Sequence, residues 1–89
     1  MVFYDESIKK DIKKGILPKA IAELFNKTFI ALDKSKDLNL FDIKKLITYS
    51  SIDYFRFRKG KYRAIFYIEK GDLYVVTISK RAEVYKKWQ

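Results

Sequence analysis

The chain has 89 residues, 20 Lys+Arg against 11 Asp+Glu, a formal net charge of +9, no histidine and no cysteine. That length suits one domain, residues 1–89, with 48% hydrophobic and 17% aromatic residues to fill a core. The missing cysteine and histidine exclude a disulfide framework, a thiolate metal site, a cysteine nucleophile and the usual general base near neutral pH, so no metal or cofactor is expected.

Met1-Val2-Phe3-Tyr4 is apolar and β-prone, an opening strand. Asp5 is placed to cap a helix starting at Glu6, with Ile8 and Ile12 on one face and Gly15 as the stop. Lys9, Lys10, Lys13 and Lys14 form its solvated face. Pro18 suits the first turn of a second helix. There Ile21, Leu24, Phe25, Thr28, Phe29 and Leu32 repeat as a core-facing stripe. Residues 33–37 are a polar break. Leu38, Leu40, Phe41, Ile43 and Leu46 fit either a short helix or an irregular packed segment.

From Ile47 the apolar period changes to two. Strands are expected at about 53–59, 61–69 and 73–80, with turns at Lys59-Gly60-Lys61 and Lys70-Gly71-Asp72. Residues 65–68 and 73–78 are apolar on both faces, which marks central strands. Ala82 to Gln89 suit one or two helical turns. The expected fold is therefore α+β: a strand, two helices, then a three-stranded antiparallel meander with a short C-terminal helical tail. No run approaches the roughly 20 apolar residues of a membrane span and the N-terminus lacks the basic region of a signal peptide, so a soluble cytoplasmic protein with no membrane partner is expected.

Charge is unevenly spread. Residues 1–53 carry ten basic and eight acidic side chains, residues 54–89 ten basic and three acidic, so a net of +7 falls in the C-terminal 36 residues. Its centre is Tyr54-Phe55-Arg56-Phe57-Arg58-Lys59-Gly60-Lys61-Tyr62-Arg63. Alternation turns Phe55 and Phe57 to one face and Tyr54, Arg56 and Arg58 to the other. Phe55, Phe57, Tyr62, Ala64 and Phe66 are expected to pack on the helices. Arg56, Arg58 and Arg63 are left on the open face, with Arg63 returning beside Arg56 or Arg58. Arg63 has no acid within four residues on either side. Its place in an apolar strand is costly unless an anion or a distant carboxylate meets it, and a nucleic-acid surface would supply the anion.

Arg56-Phe57-Arg58-Lys59-Gly60-Lys61-Tyr62-Arg63, then an apolar strand, then Ile78-Ser79-Lys80-Arg81-Ala82-Glu83-Val84-Tyr85, resembles the RelE/ParE toxin superfamily. The first stretch is similar to its hairpin of alternating arginine and apolar residues closed by Gly-x-Tyr-Arg, and the second to its closing Lys-Arg-x-Glu-Val-Tyr element. The resemblance covers residues 54–85 by motif and residues 1–53 by element order. It implies the toxin of a type II toxin–antitoxin pair, neutralised by an acidic, partly helical antitoxin. The RelE-like branch cleaves mRNA on the ribosome without metal. The ParE-like branch inhibits DNA gyrase and is not a nuclease. A basic RNA-binding module without catalysis is a third reading.

The resemblance implies the roles of single residues. Arg63 matches the arginine after tyrosine in the second hairpin strand, Lys80 or Arg81 matches the phosphate-contacting arginine of the closing segment, and Tyr85 matches a terminal tyrosine that positions the substrate. Arg56, Arg63, Arg81 and Tyr85 are thus the catalytic candidates, with Arg58, Lys59, Lys61 and Lys80 binding substrate. The departure lies at Tyr54 and Arg56, where ribosome-dependent nucleases of this kind carry two lysines. Arginine stays protonated and cannot abstract a proton, so the general base is left open among Lys59, Lys61, Lys80 and Glu83. Each aromatic also has a structural reading. Tyr62, Phe66 and Tyr67 suit core or cross-strand pairs, Tyr85 suits packing of the tail, and Trp88 suits either an antitoxin anchor or the chain's own helix.

Overall fold

Side chains that alternate along the strands fall on two faces of one sheet, and the described helices cover only one of them. A computed structural model describes residues 1–47 and 51–80, with Leu40 described by its backbone only. The elements are β1 (Val2–Tyr4), α1 (Glu6–Lys13), α2 (Lys19–Ser35), a single 3-10 turn at Leu38–Leu40, β2 (Ile43–Lys45), β3 (Tyr54–Lys59), β4 (Tyr62–Glu69) and β5 (Asp72–Lys80). The sheet order is β1-β5-β4-β3-β2. β1 runs parallel to β5 and the other pairs are antiparallel. The two strands read as apolar on both faces, β4 and β5, have a neighbour on each side.

Local chemistry sets the helix ends. The Asp5 carboxylate accepts the Ser7 N–H at 3.0 Å, satisfying a donor that a helix start leaves open. Gly15, at φ 76°, follows the C-cap Lys14 and ends α1 in the left-handed region. Pro18 sits at the N-cap of α2. That helix continues through Asp33 and Ser35, so the polar break begins three residues later than the sequence suggests. Its stripe is buried at Phe25, Phe29 and Leu32, but Leu24 is exposed.

The hairpin between β3 and β4 pairs Lys59 with Tyr62 and leaves Gly60 and Lys61 as its loop. Gly60 has φ 59°, which suits glycine at the first loop position. The residues left open between short helix and irregular segment resolve into the 3-10 turn and β2, so the sheet has five strands and not the four of the strand-plus-meander expectation. Three residues give too short a period to read, and two of the three are lysines. Charged side chains are common on an edge strand, where they discourage further pairing.

The core lies between the helices and one face of the sheet. Phe25, Phe29 and Leu32 from α2 and Ile8 from α1 meet Phe57, Ala64, Phe66, Val75 and Ile78. Phe29 packs edge-to-face on Phe57 at 5.9 Å and on Phe66 at 5.4 Å, and Phe25 on Phe57 at 5.4 Å. Such pairs add about 0.5–1.5 kcal/mol each beyond area burial. Phe55 and Tyr62 pack at the margin, so the expected helix-facing set is found.

A bulge explains how β5 serves both faces. Ile65 pairs with Thr77 and Phe66 with Val75, leaving Val76 as the extra residue. Without it the side-chain phase would put Thr77 on the same face as Val75. With it, Val75 and Ile78 both reach the core while Tyr74 and Thr77 face away. Among the described residues no helix is long and apolar enough to cross a membrane.

Candidate nucleic-acid interface

The helix-free face is organised as three rungs across the strands. In the first, Phe3, Tyr74, Tyr67 and Tyr54 stand side by side from β1 to β3. In the second, Thr77, Ile65, Arg56 and Lys44 run from β5 to β2. In the third, Ser79, Arg63 and Arg58 do the same from β5 to β3. Successive rungs lie two residues apart along β3 and β4, roughly 6.6 Å, and the bulge makes the first step on β5 three residues, from Tyr74 to Thr77.

The arginines share this face, as alternation requires. Arg63 lies directly opposite Arg58, not Arg56. Like charges so placed repel, and each guanidinium turns to a different acceptor. Arg58 Nε donates to Asp42 Oδ2 at 2.7 Å. Arg63 Nη1 donates to the carbonyls of Gly60 and Tyr62, both at 3.1 Å. The hairpin turn thus clamps Arg63 through its own backbone, and among the described residues no carboxylate lies within ion-pair distance of it.

Arg56 and Arg63 are 8% and 7% exposed, close to Phe57 at 4%. Arg63 Nε is buried and has no hydrogen-bond partner among the described residues. A buried donor left unpaired costs about 1–3 kcal/mol, and an anion on this face would recover it. Asp42, absent from the sequence reading, is held below the usual carboxylate range, first by the Arg58 hydrogen bond and then by the charges of Arg58, Arg56 and Lys44.

The other expected site residues are distributed differently. Lys59 and Lys80 both register with Tyr62, which packs at the core margin. Alternation therefore directs them to the helix-bearing side, and Lys80 lines a recess there with Leu17 and Ile78. Lys61 is exposed in the hairpin loop. Arg81 and Tyr85, like Glu83, Trp88 and the expected tail helix, lie outside the described residues. The structure brings together Arg56, Arg58 and Arg63 from the expected set and adds Lys44, which pairs with Arg56 from β2. Only an assignment of residues 43–45 as a strand would have placed Lys44 here.

The face can hold an anionic chain. Permanent guanidinium charges sit over a low-dielectric sheet, where their attraction for phosphate exceeds its value in water. Among the described residues no three His, Cys, Asp or Glu side chains are grouped as metal ligands would be. The Thr77 and Ser79 hydroxyls, 3.2 Å apart, add neutral donors beside Arg63.

The fold is shared with solved toxin structures. The toxin–antitoxin complex of RelE and RelB from Methanococcus jannaschii includes a chain of TM-score 0.72 and 24% identity, over 98% of this chain and 99% of that one. The RelE–RelB complex from Pyrococcus horikoshii gives 0.68 and 24% over 90% and 92%. A copper-bound mutant toxin from Helicobacter pylori gives 0.71 and 16% over 93% and 96%. No protein-family model matches the sequence, and no curated protein matches it. The described residues share the fold of these toxin structures.

Proposed function

We propose that this chain is the toxin of a type II toxin–antitoxin pair and acts as a RelE-like, metal-independent endoribonuclease on ribosome-bound mRNA. The observation that carries the reading is Arg63: nearly buried, clamped by two carbonyls, facing no acid among the described residues, and set beside Arg56 and Arg58 on the face that no described helix covers. The shared fold with RelE chains supports the toxin role, and those neighbours occur as complexes with RelB. The partner expected here is likewise an antitoxin, with carboxylates to neutralise the cationic face.

The chemistry follows from what the face offers. The ribose 2′-oxygen attacks the adjacent phosphorus and the bond from phosphorus to the 5′-oxygen breaks. A 2′,3′-cyclic phosphate and a free 5′-hydroxyl result. Negative charge builds on the phosphoryl oxygens as phosphorus becomes pentavalent, and preorganised guanidinium groups stabilise that charge more than the ground state. The attacking hydroxyl must lose a proton and the leaving oxygen must gain one. Arg56, Arg58 and Arg63 remain charged throughout. Among the strand lysines, Lys44 is the one that alternation places on this face, and its ammonium adds to the charge that meets the phosphate.

A cell-free translation reaction supplied with the protein should yield mRNA truncated at ribosome-occupied positions, with 5′-hydroxyl ends downstream of each cut. Arg63→Ala should reduce cleavage at least about a hundredfold, the scale of losing one transition-state donor. Intact message with wild-type protein would remove the nuclease reading. Trapped double-strand breaks in supercoiled plasmid with gyrase and ATP would put gyrase inhibition in its place.

A further inference from the structure

The first rung has no part in the chemistry above. Tyr67 stacks on Tyr74 with ring centroids 5.0 Å apart and planes 10° apart, and Tyr74 stacks on Phe3 at 5.1 Å and 18°. Three rings from three adjacent strands form one continuous stack. It ends at Phe3 on the edge strand β1, where the ring is 40% exposed. An edge strand has no neighbour to continue the row, so the outer face of Phe3 is the open end of the stack.

The same rings wall a recess of about 450 Å³, completed by the β1–α1 junction with its Asp5 and Glu6 side chains. Among the described residues its lining holds no lysine or arginine. Carboxylates repel phosphate but accept hydrogen bonds from the N–H groups of a base. The cationic rungs begin two residues further along the same strands. The polarity of the face therefore orients a nucleotide chain, with phosphates on the arginines and a base towards the rings.

We infer that the Tyr67–Tyr74–Phe3 stack is a base-binding subsite, in which one nucleobase of single-stranded RNA lies against Phe3 and extends the stack. The subsite rests on the reading of this face as an RNA surface and adds a base-recognition element outside the arginine cluster. Stacking on an aromatic is tolerant of sequence because every base has a π-face, and purines gain most by area. The carboxylates favour a base presenting an amino group to the recess.

The test compares two labelled decamers by fluorescence anisotropy at fixed salt, one of adenylates and one with the same sugar–phosphate chain but no bases. Wild type should bind the adenylate decamer more tightly. Phe3→Leu should weaken that binding about fivefold to a hundredfold, the range of base–aromatic stacking, and leave the base-free decamer unchanged. Phe3→Trp should keep or raise the preference for bases, which shows that the ring and not the fold is read. Arg63→Ala should weaken both decamers alike. An unchanged preference in both Phe3→Leu and Tyr74→Leu, with RNA still bound through Arg63, overturns the subsite and leaves the RNA surface standing. If neither decamer binds wild type, the subsite falls, and the nuclease reading is decided separately by the translation reaction.

Discussion

Phe57 and Arg56, neighbours on β3, are buried to nearly the same degree on opposite faces of the sheet and for opposite purposes. On the helix-bearing face Phe57 is 4% exposed and meets Phe25 and Phe29. One residue along the same strand, Arg56 is 8% exposed, its charge on the face that no described helix covers. Burial on the first face is driven by removal of apolar surface from water. Burial on the second places a permanent charge where the protein gains little stability from it. The difference teaches that exposure alone does not mark a core, and that the chemistry of the neighbours must be read beside it.

Deleting a core ring should break that comparison most strongly. Phe29 is fully buried and contacts the rings of Tyr4, Phe25, Phe57 and Phe66. Phe29→Ala should cost about 3–5 kcal/mol of folding stability, measured as a shift in the denaturation midpoint at constant slope. In an 89-residue domain that is a large part of the total, and activity should fall only as the folded fraction falls.

The matching change on the other face should separate stability from function. Arg63→Met keeps the aliphatic stem, removes a buried charge whose Nε has no partner among the described residues, and leaves the Gly60 and Tyr62 carbonyls without their donor. Stability should fall by no more than about 1–3 kcal/mol, the cost of those unpaired acceptors, offset by removal of the buried charge. mRNA cleavage should nevertheless be lost. A loss of stability as large as that of Phe29→Ala would show that Arg63 is structural and would collapse the distinction between the faces.

How much of this was legible in the sequence follows from the length of each signal. The stripe through Phe25, Phe29 and Leu32 repeats over about two helical turns, β3 alternates over its six residues, and β4 and β5 hold apolar runs within strands of eight and nine. Repeats of that length fix both element and face, so the arginine cluster could be placed before any coordinates. β2 has three residues, and its position depends on pairing Ile43 with Phe57 and Lys44 with Arg56. That information lies in the partner strand. The Asp42 contact to Arg58 and the place of Lys44 were hidden with it. Lys59 and Lys80 show the converse: adjacency in sequence suggested one patch, and the two-residue period turned them to the other side. The Phe3–Tyr74–Tyr67 stack joins residues from both ends of the chain and becomes visible only once β1 pairs parallel with β5.

The smallest expected effect tests what kind of polar group the core face tolerates. Tyr4 sits at the margin of the core, edge-on to Phe29 at 6.4 Å, and its hydroxyl donates to Asn26 Oδ1 at 2.7 Å. Burial pushes its pKa up from 10.0 to about 12, because the surroundings disfavour the phenolate. For an acid with a raised folded pKa, the neutral form is the one the fold prefers. The contribution of Tyr4 is therefore complete below the unfolded value of 10 and is lost as pH rises towards about 12. Wild type should lose stability over that interval, and absorbance at tyrosinate wavelengths should show a late-titrating group. Tyr4→Phe should remove the late group and flatten that part of the curve, at the cost of the Asn26 hydrogen bond at lower pH. A wild-type curve already as flat as that of Tyr4→Phe would mean that this face admits charge after all. The contrast between a neutral back and a cationic front would then rest on the arginines alone.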